Sequence, residues 1–319
     1  MSDFDIAETG AVPSASGSPR RPRVALALGA GGAKGLAHIG AIEELEAHGF
    51  EIVAIAGTSM GALIGGIYGM GKLDIYRDWV STLARFDVLK LVDWSFSGGG
   101  FIKGDRIIGA LRELIGEVNI EDLPIGYTAV ATDIDREREV WLTRGPLFDA
   151  IRASIAIPTI FRPHVIGGRR LVDGALLNPL PVMPLMREEA DYVVAVSVDG
   201  AAELQVPPER DASTTDESGG YRQRIGAFFG RVMPHNGHKP KDPGAFDLMN
   251  QAMDLMQSNL SRLRLAAYQP DLLVEIPRNV STMYEFYRAR ELIELGRERT
   301  RKSLAAWNPA MELAQSGHH

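Results

Sequence analysis

Two stretches decide the fold. Val24-Ala25-Leu26-Ala27-Leu28 runs into Gly29-Ala30-Gly31-Gly32-Ala33-Lys34-Gly35, and Ile52-Val53-Ala54-Ile55-Ala56 runs into Gly57-Thr58-Ser59-Met60-Gly61. Each apolar run is short and unbroken, as suits a strand buried on both faces. Between them Ile39, Ile42 and Leu45 recur at helical spacing before Gly49, a natural helix stop. After the second turn come Ala62, Leu63, Ile64 and Ile67, again on a helical period. Strand, helix, strand, helix in this order predicts a parallel sheet with right-handed crossovers.

Working outward, the pattern predicts helices over 73–86, 104–116, 146–155, 245–268 and 285–307, and strands over 125–132, 138–143, 165–172, 191–198 and 271–276. The expectation is one α/β domain over 22–307, a central, mostly parallel sheet flanked by helices. Residues 1–21 are small and polar, with Asp3, Asp5 and Glu8, and read as a disordered tail rather than a signal peptide. Residues 308–319 read as a C-terminal tail. The segment 201–243 breaks the rhythm and reads as a long irregular insertion. Its stretch from Tyr221 to Met233 carries Arg222, Arg224 and Arg231 among Ile225, Phe228 and Phe229. That composition reads either as a partly ordered surface loop or as an interfacial helix that meets lipid.

Composition removes several chemistries. The chain has 319 residues, a formal net charge of −7 and no cysteine. No disulfide, cysteine nucleophile, thiolate zinc site or iron–sulfur cluster can form. The sign of the charge argues against nucleic acid as a partner. No apolar run approaches the roughly 20 residues of a membrane span. The expected location is cytoplasmic, with contact to a membrane only at its periphery.

Three motifs carry chemistry. Gly57-Thr58-Ser59-Met60-Gly61 is a G-x-S-x-G between a strand and a helix, which projects a serine at the sheet's carboxyl edge. Ser59 reads there as a nucleophile or as a helix cap. The glycine loop at 29–35 can gather amide groups around an anion. It departs from the phosphate loop, because Ala33-Lys34-Gly35 lacks Lys-Ser/Thr, and from the dinucleotide fingerprint, because no acid closes the second strand. An oxyanion hole fits it better. Lys34 reads as a loop-orienting or head-group-attracting cation, or as a solvated lysine. Val172-Asp173-Gly174-Ala175 leaves a strand, and Asp173 reads as a turn former or as the base that a serine requires. A Ser-Asp-His triad would need His235 or His238. Asp133 and Asp135 read as a strand end and turn rather than half a metal site, and Trp79, Phe86, Trp94 and Phe96 as core and wall of an acyl pocket.

These motifs together resemble the patatin-like phospholipase family. Further matching segments are Ala153-Ser154-Ile155-Ala156-Ile157-Pro158, Phe161-Arg162-Pro163 and Asn178-Pro179-Leu180-Pro181-Val182. The resemblance implies a three-layer patatin-like architecture and a carboxylic ester hydrolase that cleaves fatty acyl esters through an acyl-enzyme. It implies a dyad, with Ser59 as nucleophile and Asp173 as base, and an oxyanion hole around Gly31, Gly32 and Ala33. Lys34, Gly35, Gly57, Gly61 and Gly174 would support the motifs. No cofactor or metal is implied, and the partner is a lipid or acyl-ester substrate. The alternatives carried forward are a nucleotide-dependent oxidoreductase using the glycine loop, and a non-catalytic, membrane-binding regulator with the same fold.

Overall fold

The computed structural model describes residues 20–84, 104–158, 160–203 and 245–307. The N-terminal tail up to residue 19, Phe86, Trp94, Phe96, the body of the insertion with its Tyr221–Met233 stretch, His235, His238 and the C-terminal tail lie outside the described residues.

Eight strands form one sheet: β1 (Arg23–Leu28), β2 (Glu51–Thr58), β3 (Gly126–Asp133), β4 (Arg138–Leu142), β5 (His164–Ile166), β6 (Arg169–Asp173), β7 (Tyr192–Gly200) and β8 (Leu272–Pro277). The helices are α1 (Ala37–Ala47), α2 (Met60–Gly69), α3 (Leu73–Val80), α4 (Asp105–Ile115), α5 (Leu147–Ser154), α6 (Ala245–Ala267) and α7 (Ala289–Ala306). Strands β3, β2, β1, β7 and β8 run parallel, while β4, β5 and β6 pair antiparallel. The expected mostly parallel sheet between helices is therefore the observed one. One expectation needs correction. The single strand expected over 165–172 is a hairpin, because Gly167 and Gly168 both take positive φ (56° and 74°). Two such residues in succession fit the type I′ turn that joins antiparallel strands.

The buried strands alternate large and small. Val24, Leu26, Leu28 and Ile55 face the main core with α1, α2 and α7, while Ala25, Ala27, Ala54, Ala56 and Ala195 face the other side. On that thinner side Leu180, Val182 and Leu185 lie close against the sheet, with Leu265 and Tyr268 at the end of α6. Side chains that alternate across a pleat produce this division directly.

Register along β3 positions the site. Ala129 and Val130 pair with both β2 and β4, so those strands occupy opposite edges of β3. Residues 131–133 pair with both β4 and β6, so β6 shares an edge with β2. On that edge Thr58 pairs with Val130, and Asp173 with the next residue, Ala131. The end of β2 and the end of β6 thus meet head to head.

Candidate active site

Ser59 follows β2 at the first step of α2, with φ 56° and ψ −120°. A non-glycine residue held there costs about 1–3 kcal/mol, which the surrounding structure must supply. The flanking glycines make the turn. A Cβ on Gly57 would lie 2.4 Å from the Gly61 carbonyl oxygen, and one on Gly61 would lie 2.1 Å from the Leu28 carbonyl oxygen. The Ser59 side chain makes no capping bond to α2, so the helix-cap reading is set aside. The positive end of the α2 dipole lies at this residue.

Asp173 closes β6 and is 3% exposed. Its Oδ1 accepts from the Ala175 amide at 2.8 Å, and the Ser59 side chain stands beside it and favours its ionised form. Burial dominates its ionisation and pushes its pKa up to about 7, against the lowering effect of the Ala175 amide and the Ser59 side chain. Gly174 is required because a Cβ there would sit 2.3 Å from the Val130 carbonyl oxygen.

The glycine loop faces this pair. Gly31 and Gly32 open a 3-10 turn over Gly32–Leu36, whose first amides have no partner within the turn. Neither has a hydrogen-bond acceptor among the described residues. Ala33 differs. Its amide donates to the Met283 carbonyl at 3.0 Å, its side chain is fully buried, and it lines neither cavity. The third expected donor therefore belongs to the loop's seating rather than to its open edge. Gly31 and Gly32 pack so closely that a Cβ would meet Val198 Cγ2 at 2.0 Å and Met283 Cγ at 2.7 Å. Gly35 packs against Met60, where a Cβ would lie 2.3 Å from Cγ.

Two cavities meet at Ser59. The smaller, about 180 Å³, is walled by Met60, Leu63, Trp79, Val80, Leu111 and Phe161 among other apolar side chains. The larger, about 330 Å³, is lined by Gly31, Gly32 and Asp173 and by charged groups of both signs: Lys34, Arg278, Asp199 and Asp254. Gly32, Ile157, Met283 and Tyr284 border both. Lys34 is 13% exposed and pairs with Asp199 at 3.5 Å, which removes the solvated-lysine reading. Burial raises the Asp199 pKa, and the Lys34 charge opposes that shift.

Three supporting residues escape a reading of the sequence for chemistry. Ser154, at the end of α5, donates to the Val130 carbonyl at 2.6 Å and accepts from the Ser59 amide at 2.9 Å. It ties the strained turn to β3. His38 Nε2 bonds the Gly29 carbonyl at 2.8 Å beneath the glycine loop, and burial lowers its pKa to about 4. The neutral ring thus donates from Nε2. Asn178 takes the Thr58 hydroxyl on its carbonyl at 2.8 Å and donates from Nδ2 to Glu139 at 2.7 Å, and Glu139 also receives Arg264. Ser154 and Asn178 stand in two of the matching segments quoted from the sequence, which record their positions but not the bonds they make, and His38 is marked only by its place on α1.

No histidine among the described residues lines either cavity. Asp133 and Asp135 are ion-paired to Arg136 and Arg170, and among the described residues no cluster could hold a metal. Among them also, no helix is long and apolar enough to cross a membrane.

Residues 26–186, half of the chain, match the family described as Patatin-like phospholipase. An uncharacterized NTE family protein of Mycobacterium tuberculosis is 39% identical over 335 residues, covering 90% of this chain and 92% of its own. The lysophospholipase NTE1 of Debaryomyces hansenii is 27% identical, and its match covers 89% of this chain but 18% of that larger protein. Among solved structures, VipD from Legionella pneumophila aligns at a TM-score of 0.44 and 15% identity, over 91% of this chain and 67% of that one.

Proposed function

The chain belongs to the patatin-like phospholipase family, and on that premise we propose that this lipid hydrolase cleaves fatty acyl esters with a Ser59–Asp173 dyad. One observation carries the reading. A serine in a strained turn stands beside a buried carboxylate where an apolar and a charged cavity meet.

The steps follow from the geometry. Ser59 Oγ attacks the acyl carbonyl carbon and gives its proton to Asp173. A carboxylate at its ordinary pKa is a feeble base, and burial brings this one towards the working pH. The Gly31 and Gly32 amides donate to the oxyanion that forms, a contribution worth ~10²–10³ in turnover per donor. Collapse expels the alcohol, which takes the proton back from Asp173, and leaves the acyl chain on Ser59. Water then attacks the acyl-enzyme, Asp173 accepts its proton, and the second collapse frees the fatty acid and returns that proton to Ser59.

The two cavities divide the substrate. The acyl chain occupies the smaller one, where burial of each methylene contributes about 0.8 kcal/mol. The polar alcohol occupies the larger one, where Lys34 and Arg278 suit a phosphate. The name of the Debaryomyces relative points to lysophospholipid as the first substrate to offer. The membrane is the source of that substrate, met at the protein's periphery. Domain limits of 22–307 follow from the same reading.

A fluorophosphonate probe tests the nucleophile. The expected result is a single adduct on the Ser59 peptide in wild type, none in Ser59→Ala, and loss of lysophospholipid and short-chain ester hydrolysis in Ser59→Ala. A folded Ser59→Ala variant hydrolysing at the wild-type rate would sink the reading. An NAD(P)-induced thermal shift, with no esterase activity, would favour the oxidoreductase instead.

A further inference from the structure

Helix α6 is turned the wrong way round for a surface helix. Its fully buried positions hold Ser258 and Ser261, with Met253, Leu260 and Leu265 half-buried, whereas Leu248, Met249, Leu255, Met256 and Leu263 are 53–66% exposed. A surface helix of a globular domain normally buries its apolar stripe. Here the stripe recurs every seven residues, from Leu248 to Leu255 and from Met249 to Met256 to Leu263, along about 22 Å of helix axis. Contiguous apolar surface of this kind marks a contact that the described residues do not supply.

We propose that this outer face of α6 docks the protein onto an electrically neutral, zwitterionic lipid surface. The choice of lipid rests on the proposed acyl-hydrolase reading, and two observations support it. The first is continuity with the site. Met253, Asp254 and Gln257, on the same helix, line the larger cavity, and Tyr284, half exposed, borders both cavities. Those three helix residues lie on the other side of the helix from the stripe, so a lipid surface against the stripe is one helix diameter from the cavity, and a long-chain substrate has to arrive from its aggregate. The second is charge. The stripe holds no ionisable residue, Arg262 is the exposed cation beside it, and the whole chain carries −7. A basic amphipathic helix seeks anionic lipid, and this one lacks the charge to do so. Insertion of leucine and methionine side chains is the binding force that remains.

The test uses the full chain and vesicles of phosphocholine lipid. Wild type is expected to co-sediment with them, and adding anionic lipid is expected not to strengthen binding. The triple variant Leu248→Ser/Leu255→Ser/Leu263→Ser is expected to lose at least about tenfold in partitioning, since three apolar side chains leave the lipid. Its hydrolysis of a monomeric short-chain ester is expected to stay at the wild-type rate. In a Leu255→Trp variant, brominated acyl chains are expected to quench the added indole. Wild-type failure to bind neutral vesicles, undiminished binding by the triple variant, or absence of quenching each overturns the proposal. So does a wild-type dimer that the triple variant converts to monomer without any vesicle binding, which would assign the face to a second copy. Vesicle binding by a wild type that cleaves no ester would instead defeat the catalytic reading and leave the docking surface standing.

Discussion

At the seam between α1 and α7, a Cβ on Gly40 would lie 1.9 Å from the Ile293 carbonyl oxygen, and one on Gly296 would lie 2.0 Å from the Ala37 carbonyl oxygen. At the corner where β2, β6 and the glycine loop converge, the distances for Gly61, Gly31 and Gly174 are 2.1, 2.0 and 2.3 Å. Tightness does not separate the two regions. What separates them is how completely their groups are satisfied. Along the seam Glu44 takes two bonds from Arg301 at 2.8 and 2.9 Å, Arg297 pairs with Glu43, and Thr300 bonds the Gly296 carbonyl. At the corner Ser59 is strained and two amides face an open cavity, and among the described residues Asp173 is buried without a cation and His38 Nδ1 has no partner. A fold that spends stability in one place holds it by surplus in another.

The contrast predicts that the corner controls rate and the seam controls stability. The largest effect belongs to Ser59→Ala and Asp173→Asn, each expected to lower kcat/KM by ~10⁴ or more with the fold intact. In the wild type kcat/KM is expected to rise with pH and level off above a limb near 7, because the base works only when Asp173 is ionised. A pH profile flat from 5 to 9 would remove Asp173 from that role. Next is Gly31→Ala. Its Cβ has no room beside Val198, so the loop shifts and the amides move off the oxyanion, at an expected ~10²–10³ in kcat. Adding Val198→Ala should restore part of that loss, and equal rates for the single and double variants would break the link to loop position.

Gly40→Ala gives the opposite pattern. Forcing a methyl against the Ile293 carbonyl should cost about 3 kcal/mol, read as a lower urea midpoint at unchanged slope. The kcat per folded molecule should be unchanged. A stable Gly40→Ala with depressed kcat would mean that the seam transmits to the site, and the division would be wrong.

The corner was more legible than the seam for a physical reason. A strained turn between strand and helix is encoded by neighbours, so Gly57-Thr58-Ser59-Met60-Gly61 announces itself. Gly40 and Gly296 fit each other's helices across most of the chain, and nothing local to either records the match. The parallel core was readable because its strands are short apolar runs, but the alternation of large residues and alanines across the sheet becomes meaningful only once the thin layer at 180–187 is seen. The strand expected over 165–172 is two, because Gly167 and Gly168 turn the chain between Ile166 and Arg169. Ala33 was assigned to the oxyanion hole by its place in the motif. The Met283 carbonyl that occupies its amide comes from 250 residues further along.

The smallest prediction sets the two regions against each other by the sign of one kind of substitution. The folded-state pKa of Asp173 is raised from 3.8 to about 7, so its contribution to stability is fully present below pH 3.8 and is lost as pH rises through about 7. Above that, the ionised carboxylate destabilises the fold. Asparagine stays neutral and still accepts from the Ala175 amide. Asp173→Asn should therefore be more stable than wild type at pH 8, by on the order of 2 kcal/mol, and gain little at pH 4. Glu44→Gln, also a buried carboxylate made neutral, should be slightly less stable at pH 8, because it breaks a two-bond ion pair, an effect kept small by the exposure of the arginine. Urea denaturation of both variants at the two pH values reads the signs directly. If both substitutions destabilise at pH 8, Asp173 is held as comfortably as Glu44, and the corner is not the place where this fold gives up stability for chemistry.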